Sequence, residues 1–104
     1  MIPLADSFAP GDPAAAERAV ALLKSMSHVG RLRILCSLLD SERTVGELSE
    51  ALDEPQSSVS QQLMRLRAEG VVVSARQGKH VRYSLVGTKV PPIIAALRDT
   101  FCPK

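Results

Sequence analysis

Aromatic residues are nearly missing from this chain. It has no Trp, one Tyr and two Phe, so aromatics make up 3% of its 104 residues. The core must therefore be built from Leu, Val, Ile and Ala, which favours packed helices over an all-β sandwich. Cysteine is scarce too: there are two, with no Cys-x-x-Cys, and this argues against a thiol oxidoreductase. No nucleophile, base and acid stand out together, so no enzyme is expected. No apolar run approaches the ~20 residues of a membrane span. The opening MIPLADSFAPGD has neither the basic start nor the apolar stretch of a secretory signal. A cytoplasmic protein with reduced thiols is the expectation. The net charge is only +2, too little by itself to announce a nucleic-acid partner.

The distribution of charge says more than its total. From Asp40 to Glu54 six acids face Arg43 alone, a local balance of −5. From Pro55 to Val86 five bases (Arg65, Arg67, Arg76, Lys79 and Arg82) face Glu69 alone, a balance of +4. A basic patch confined to one half is the footprint of a DNA-facing surface. The length allows one domain whose core is marginal by itself, so a symmetric dimer burying more apolar surface is expected.

Residues 1–12, with Pro3, Pro10 and Gly11, show no periodicity and read as a flexible arm, although Phe8 could dock. The folded domain is expected over 13–102. Asp12-Pro13 is an N-cap and first-turn pair that opens a helix to about Met26, with Ala16, Ala19, Val20 and Leu23 on one side. RLRILCSLLD gives a second helix, from roughly Gly30 to Leu39, with Leu32, Leu35, Leu38 and Leu39 apolar. Thr44-Val45-Gly46-Glu47 is a capping box that starts a short third helix to about Leu52. The stretch from Pro55 to Gly70 then reads as a fourth helix. Val59, Leu63 and Leu66 make its apolar stripe; Ser57, Ser58, Gln61 and Arg65 lie opposite, with Ser60 and Gln62 on the flanks. Hydroxyls, amides and a guanidinium on one side suit base edges and phosphates. An ordinary solvated polar face would look the same in isolation.

The chain beyond Gly70 strengthens the DNA reading. Val71–Arg76 and His80–Leu85, separated by Gln77-Gly78-Lys79, predict a β-hairpin whose bases are Arg76, Lys79, His80 and Arg82. A last helix spans about Lys89–Phe101, with Val90, Ile93, Ile94, Leu97 and Phe101 as its apolar stripe. The expected fold is mainly α with a β-hairpin wing: a winged helix-turn-helix of order α-α-α-α-β-β-α, dimeric through its first and last helices. The predicted DNA-contacting set is Gln56, Ser57, Ser58, Ser60, Gln61, Gln62, Arg65, Arg76, Lys79, His80 and Arg82. A winged module that binds only protein is the competing class, against which the serine/glutamine face and the basic half both weigh.

RLRILCSLLD, TVGELSEAL, QSSVSQQLMRLRAEGVV and the hairpin ending VRYSL together resemble the ArsR/SmtB family of dimeric winged-helix bacterial repressors, from about Ala14 to Cys102. Gln62 stands where many members carry His, a departure that bears on operator preference. Many members sense metals, but the ligand sets are not here. No thiol lies near Val45–Leu48, the last helix offers only Asp99, and His28 and His80 lack companions in the three or four ligands that zinc needs. His28 reads as a helix-junction residue. No metal and no cofactor are expected.

Cys36 and Cys102 remain. Taken singly, Cys36 is a small hydrophobe on the apolar side of its helix, whereas Cys102 follows Phe101 and is not an obvious core position. Their placement, one in the second helix in an ILC context and one near the end of the last, resembles the SqrR/BigR/HlyU-like, persulfide-sensing branch of the family. The resemblance implies a repressor of sulfide-handling genes that binds operator DNA as a reduced dimer. Organic persulfides or polysulfides would link Cys36 to Cys102, by a disulfide or a tetrasulfide, and release it. A general thiol-redox repressor, or one that binds As(III) or Cu(I), is the alternative. Both cysteines lie late in their helices, where the dipole disfavours thiolate; Arg33 or Arg98 is the candidate compensating charge.

Overall fold

The computed structural model describes residues 12–102; the predicted arm, with Phe8, lies outside the described residues except for Asp12. Helix α1 (Pro13–Met26) begins where expected, the Asp12 carboxylate accepting the Ala15 N–H at 3.1 Å and Pro13 filling the first turn. Helix α2 (Val29–Leu38) follows after the break at Ser27-His28. Helix α3 (Val45–Leu52) opens on the predicted capping box. Glu47 N–H donates to Thr44 Oγ1 at 3.1 Å, and Thr44 N–H donates to the Glu47 carboxylate at 2.9 Å. It ends on Asp53 in the left-handed region (φ 54°), a conformation that a short polar side chain tolerates. Helix α4 (Gln56–Ala68) starts one residue later than read, because Pro55 is extended and serves as the N-cap.

Strands β1 (Val72–Gln77) and β2 (His80–Leu85) form the antiparallel hairpin, with Val72 opposite Leu85 and Gln77 opposite His80. The turn is therefore Gly78-Lys79 and not three residues. Gly78 supplies φ +63° at the first loop position, which keeps the right-handed twist of the flanking strands. Helix α5 (Val90–Phe101) closes the chain, with proline confined to its first turn. The order α-α-α-α-β-β-α is the predicted one.

The core joins every helix. Val59, Leu63 and Leu66 of α4 bury their predicted stripe against Ile34, Leu35 and Leu38 of α2, Leu48 and Leu52 of α3, Val72 of β1 and Ile94 of α5. Leu32 and Leu39, read on the apolar side of this helix, are partly buried against the core, and Ile34 takes the central place on α2. One tie was not foreseen. Arg43 pairs with Tyr83 as an isolated bridge (Arg43 N–H to Tyr83 O 3.0 Å, Tyr83 N–H to Arg43 O 2.7 Å), so the loop before α3 acts as a third, one-residue strand. A two-stranded hairpin is marginal alone, and this bridge fixes the root of the wing to the helices. No described helix is long and apolar enough to cross a membrane.

The apolar side chains of α1 and α5 divide between two directions. Met26, Leu22, Val90, Ile94 and Leu97 pack on the core. Leu23 is 59% exposed and Phe101 75%, with Val20 and Ile93 also open to solvent.

Candidate nucleic-acid interface and the paired thiols

Helix α4 presents Gln56, Ser57, Gln61 and Arg65 to solvent, while Ser58 and Ser60 are half-buried. The sequence puts Ser58 on the outer side and Gln62 on a flank, and it is Gln62 that turns furthest inward. It turns into the crossing of α4 over α2, its Nε2 donates to Ser58 Oγ at 3.1 Å, and its Oε1 is buried without a partner. The space it uses exists because residue 30 is glycine: a Cβ there would stand 2.7 Å from Gln62 Oε1. The signal was in the sequence as Gly30, but only the helix crossing gives it meaning. His28, Arg31, Gln61, Gln62 and Arg65 line a small cavity of about 170 Å³ at this junction.

Arg65 is tied down. Its Nε lies 3.5 Å from the Glu69 carboxylate, which also receives Arg31 at 3.8 Å and a short hydrogen bond from Ser25 Oγ. Glu69 thus gathers α1, α2 and the end of α4, a junction that sequence reasoning missed. Ser25, a polar residue on the same side of α1 as Leu22 and Met26, was the available hint.

On the wing, Arg76, Lys79 and His80 are exposed as predicted. Arg82 is half-buried and reaches Glu47 at 3.3 Å. Glu47 therefore serves the helix cap and the wing together. Its carboxyl is held below its ordinary range, first by the Thr44 N–H and then by Arg82, against a desolvation cost. Among the described residues, Arg67, Arg76 and Lys79 have no carboxylate within 4.0 Å. The positive surface of this half is thus concentrated on the wing tip and the outer side of α4.

Helix α5 packs on α2, so the two thiols, 66 positions apart in sequence, are carried by neighbouring elements, near enough for the charge of Cys102 to act on Cys36. Cys36 is half-buried on the edge of the core and Cys102 is exposed at the end of α5; both are free. Burial pushes the Cys36 thiol up, and the neighbouring Cys102 and then Asp40 push it further, while Arg98 pulls it down. Of the two candidate compensating charges, Arg98 is the one at the thiols. Arg33 is turned away, donating to Leu52 O at 3.1 Å and facing Glu54 at 3.8 Å. No three His, Cys, Asp or Glu side chains among the described residues converge as metal ligands.

A short helix, a turn and a second helix with a polar outer side, followed by a basic hairpin, define a winged helix-turn-helix DNA-binding regulator of transcription. The model of the bacterial regulatory protein arsR family matches residues 28–74. The transcriptional activator HlyU of Vibrio cholerae is 45% identical over 82% of this chain and 79% of its own. The crystal structure of the transcriptional repressor BigR from Xylella fastidiosa superposes with a TM-score of 0.77 at 37% identity, covering 86% of this chain and 89% of that one. A homodimeric winged helix-turn-helix domain from Mycobacterium bovis gives 0.76 at 25% identity, over 85% and 82%. The chain belongs to the ArsR family, and the relatives are regulators of transcription and not enzymes.

Proposed function

We propose that the protein is a cytoplasmic, dimeric repressor that holds operator DNA while its thiols are reduced and lets go when persulfides link Cys36 to Cys102, so controlling sulfide-handling genes. The observation that supports this reading is the placement of two free thiols on packed neighbours, Cys36 on α2 and Cys102 at the end of α5, with the charge of one felt by the other. The exposed apolar residues Val20, Leu23, Ile93 and Phe101 supply a surface for a second copy, in keeping with the homodimeric relative. Each protomer offers Gln56, Ser57, Ser58, Ser60, Gln61, Gln62 and Arg65 from α4, and Arg76, Lys79, His80 and Arg82 from the wing. Gln62 and Arg82 act from their half-buried positions. Two reading heads address half-sites about 34–36 Å apart, so a small change in their spacing removes most of the specific affinity. The charge of the wing survives the change and leaves weak, salt-sensitive binding.

The chemistry balances with persulfide as the only reagent. An organic persulfide passes its outer sulfur to one thiol and leaves as a thiol. The second thiolate then attacks the inner sulfur of the new perthiol and expels hydrosulfide, giving a disulfide. A tetrasulfide instead joins two perthiols with loss of two electrons, which a further persulfide accepts as it becomes a thiol and hydrogen sulfide. A disulfide needs Cα atoms within about 7 Å, and two extra sulfurs relax that limit.

Intact mass tests the reading, with reduced protein treated separately by an organic persulfide and by oxidised glutathione. The expected result is loss of both thiols and release from operator DNA with persulfide alone. An equal response to both reagents means a general thiol-redox repressor, and tight As(III) or Cu(I) binding without any persulfide response means a metal-responsive one. Cys36→Ser and Cys102→Ser should each keep DNA binding and lose the release.

A further inference from the structure

Cys36 is an unpromising nucleophile. It is partly buried, it lies late in α2 where the helix dipole opposes a thiolate, and its thiol is pushed up. An ion pair sits beside it. Arg98 Nη1 donates to Asp40 Oδ1 at 3.1 Å across the gap between α5 and the end of α2. Asp40 lies one turn beyond Cys36, and Arg98 lies one turn before Cys102, whose N–H donates to Arg98 O at 2.8 Å. The pair therefore ties together the two segments that carry the thiols, one helical turn from each.

We infer that Asp40 and Arg98 are the positioning pair of the thiol switch: their bond holds the end of α5, which leads into Cys102, against the end of α2, which carries Cys36. The inference rests on the thiol-switch function proposed for these two cysteines. The positive charge of Arg98 favours the Cys36 thiolate directly, whereas Asp40 disfavours it twice, as a nearby negative charge and as a competitor for the guanidinium. Exposed ion pairs contribute little to stability, so variants at either position should fold.

The two partners must then act in opposite directions. The quantity to measure is the rate of Cys36 alkylation by iodoacetamide against pH, in reduced full-length protein carrying Cys102→Ser so that only Cys36 responds. Asp40→Asn should raise the rate at neutral pH by about threefold and move the pH profile to lower values, half a pKa unit being about that factor. Arg98→Ala should lower the rate by a similar factor, and Arg98→Lys should restore most of it. A pair that merely braces the fold would shift both variants in the same direction, because each loses the same bond. Shifts of the same sign, or shifts under twofold in both, overturn the inference. The assay contains no persulfide, so its result stands apart from whether persulfide is the inducer. In a second arm, with both cysteines present, Arg98→Ala, which loses both the bond and the charge, should slow closure of the Cys36–Cys102 link after persulfide treatment, and Asp40→Asn, which loses the bond but frees the guanidinium, should slow it less. Closure at the wild-type rate in both overturns the positioning role.

Discussion

Glu69→Gln removes one charge from the junction of α1, α2 and α4 with almost no change of shape. The amide oxygen of glutamine still accepts the Ser25 hydroxyl, so the tether to α1 remains. What is lost is attraction to two guanidiniums. The Arg65 pair spans i to i+4 with Arg65 71% exposed, and such a pair is worth about 0.5 kcal/mol. The Arg31 side chain is 16% exposed and stands 3.8 Å away, which places it at the upper end for surface pairs, about 1 kcal/mol. Stability should fall by about 1.5 kcal/mol in urea unfolding, with little change in the slope. DNA binding should move the other way. Arg65 released from Glu69 can neutralise a phosphate, and each added phosphate contact steepens the dependence of log affinity on log salt by about 0.9. A fourfold dilution of salt should then raise the variant's affinity about 3.5-fold more than it raises the wild type's. Fluorescence anisotropy with a labelled promoter fragment across a salt series reads this directly. An unchanged salt slope beside the expected loss of stability would refute the placement of Arg65 at the DNA.

Leu63→Ala removes a fully buried side chain from the centre of the core and should cost about 3 kcal/mol or more by denaturant unfolding; a loss below about 1 kcal/mol would mean that the core re-collapses around the site. Thr44→Ala deletes the acceptor for Glu47 N–H and should cost about 1 kcal/mol, read by the same titration. The Glu47 carboxyl titrates below its ordinary value of 4.5, so its contribution is complete above that pH and disappears as pH falls through the lower, folded value. Glu47→Gln should therefore flatten the loss of stability below about pH 4.5, and an unaltered acid limb would show that the cap carries no such charge effect. Leu23→Glu puts a charge on the exposed side of α1 and should yield a monomer by sedimentation, with operator binding lost; a dimer of wild-type strength would move the interface elsewhere.

Local signals in this chain were legible because they are satisfied locally. The Asp12-Pro13 start, the Thr44/Glu47 box, the Gly78 turn and the Val59/Leu63/Leu66 stripe each depend on residues a few positions apart. The local departures are small, a two-residue turn and a later start of α4, and the larger ones concern partners distant in sequence. Periodicity placed Val20 and Leu23 on an apolar side of α1, a helix read as part of a dimer surface, but did not show that Leu22 and Met26 form a second side that packs on the core. Gln62 has the composition of a reading residue, and its inward turn depends on the missing Cβ of Gly30, 32 positions earlier. The charge count for 55–86 was correct, yet two of its five bases are partly neutralised, Arg65 by Glu69 and Arg82 by Glu47 from outside that stretch. Neither the Arg43–Tyr83 bridge nor the proposed pairing of the thiols has a local signature. The former is a backbone contact indifferent to side-chain type, and the latter was suggested by family resemblance alone.

The bridge at Arg43 also has a mechanical meaning. Asp40, held by Arg98 beside the thiols, is joined to Arg43, held by Tyr83 at the wing, through only Ser41 and Glu42. Three residue steps extend to about 10 Å and no further. The strap turns at Asp40 and bends at Ser41, so one short segment carries both the ion pair with α5 and the bridge that fixes the root of the wing.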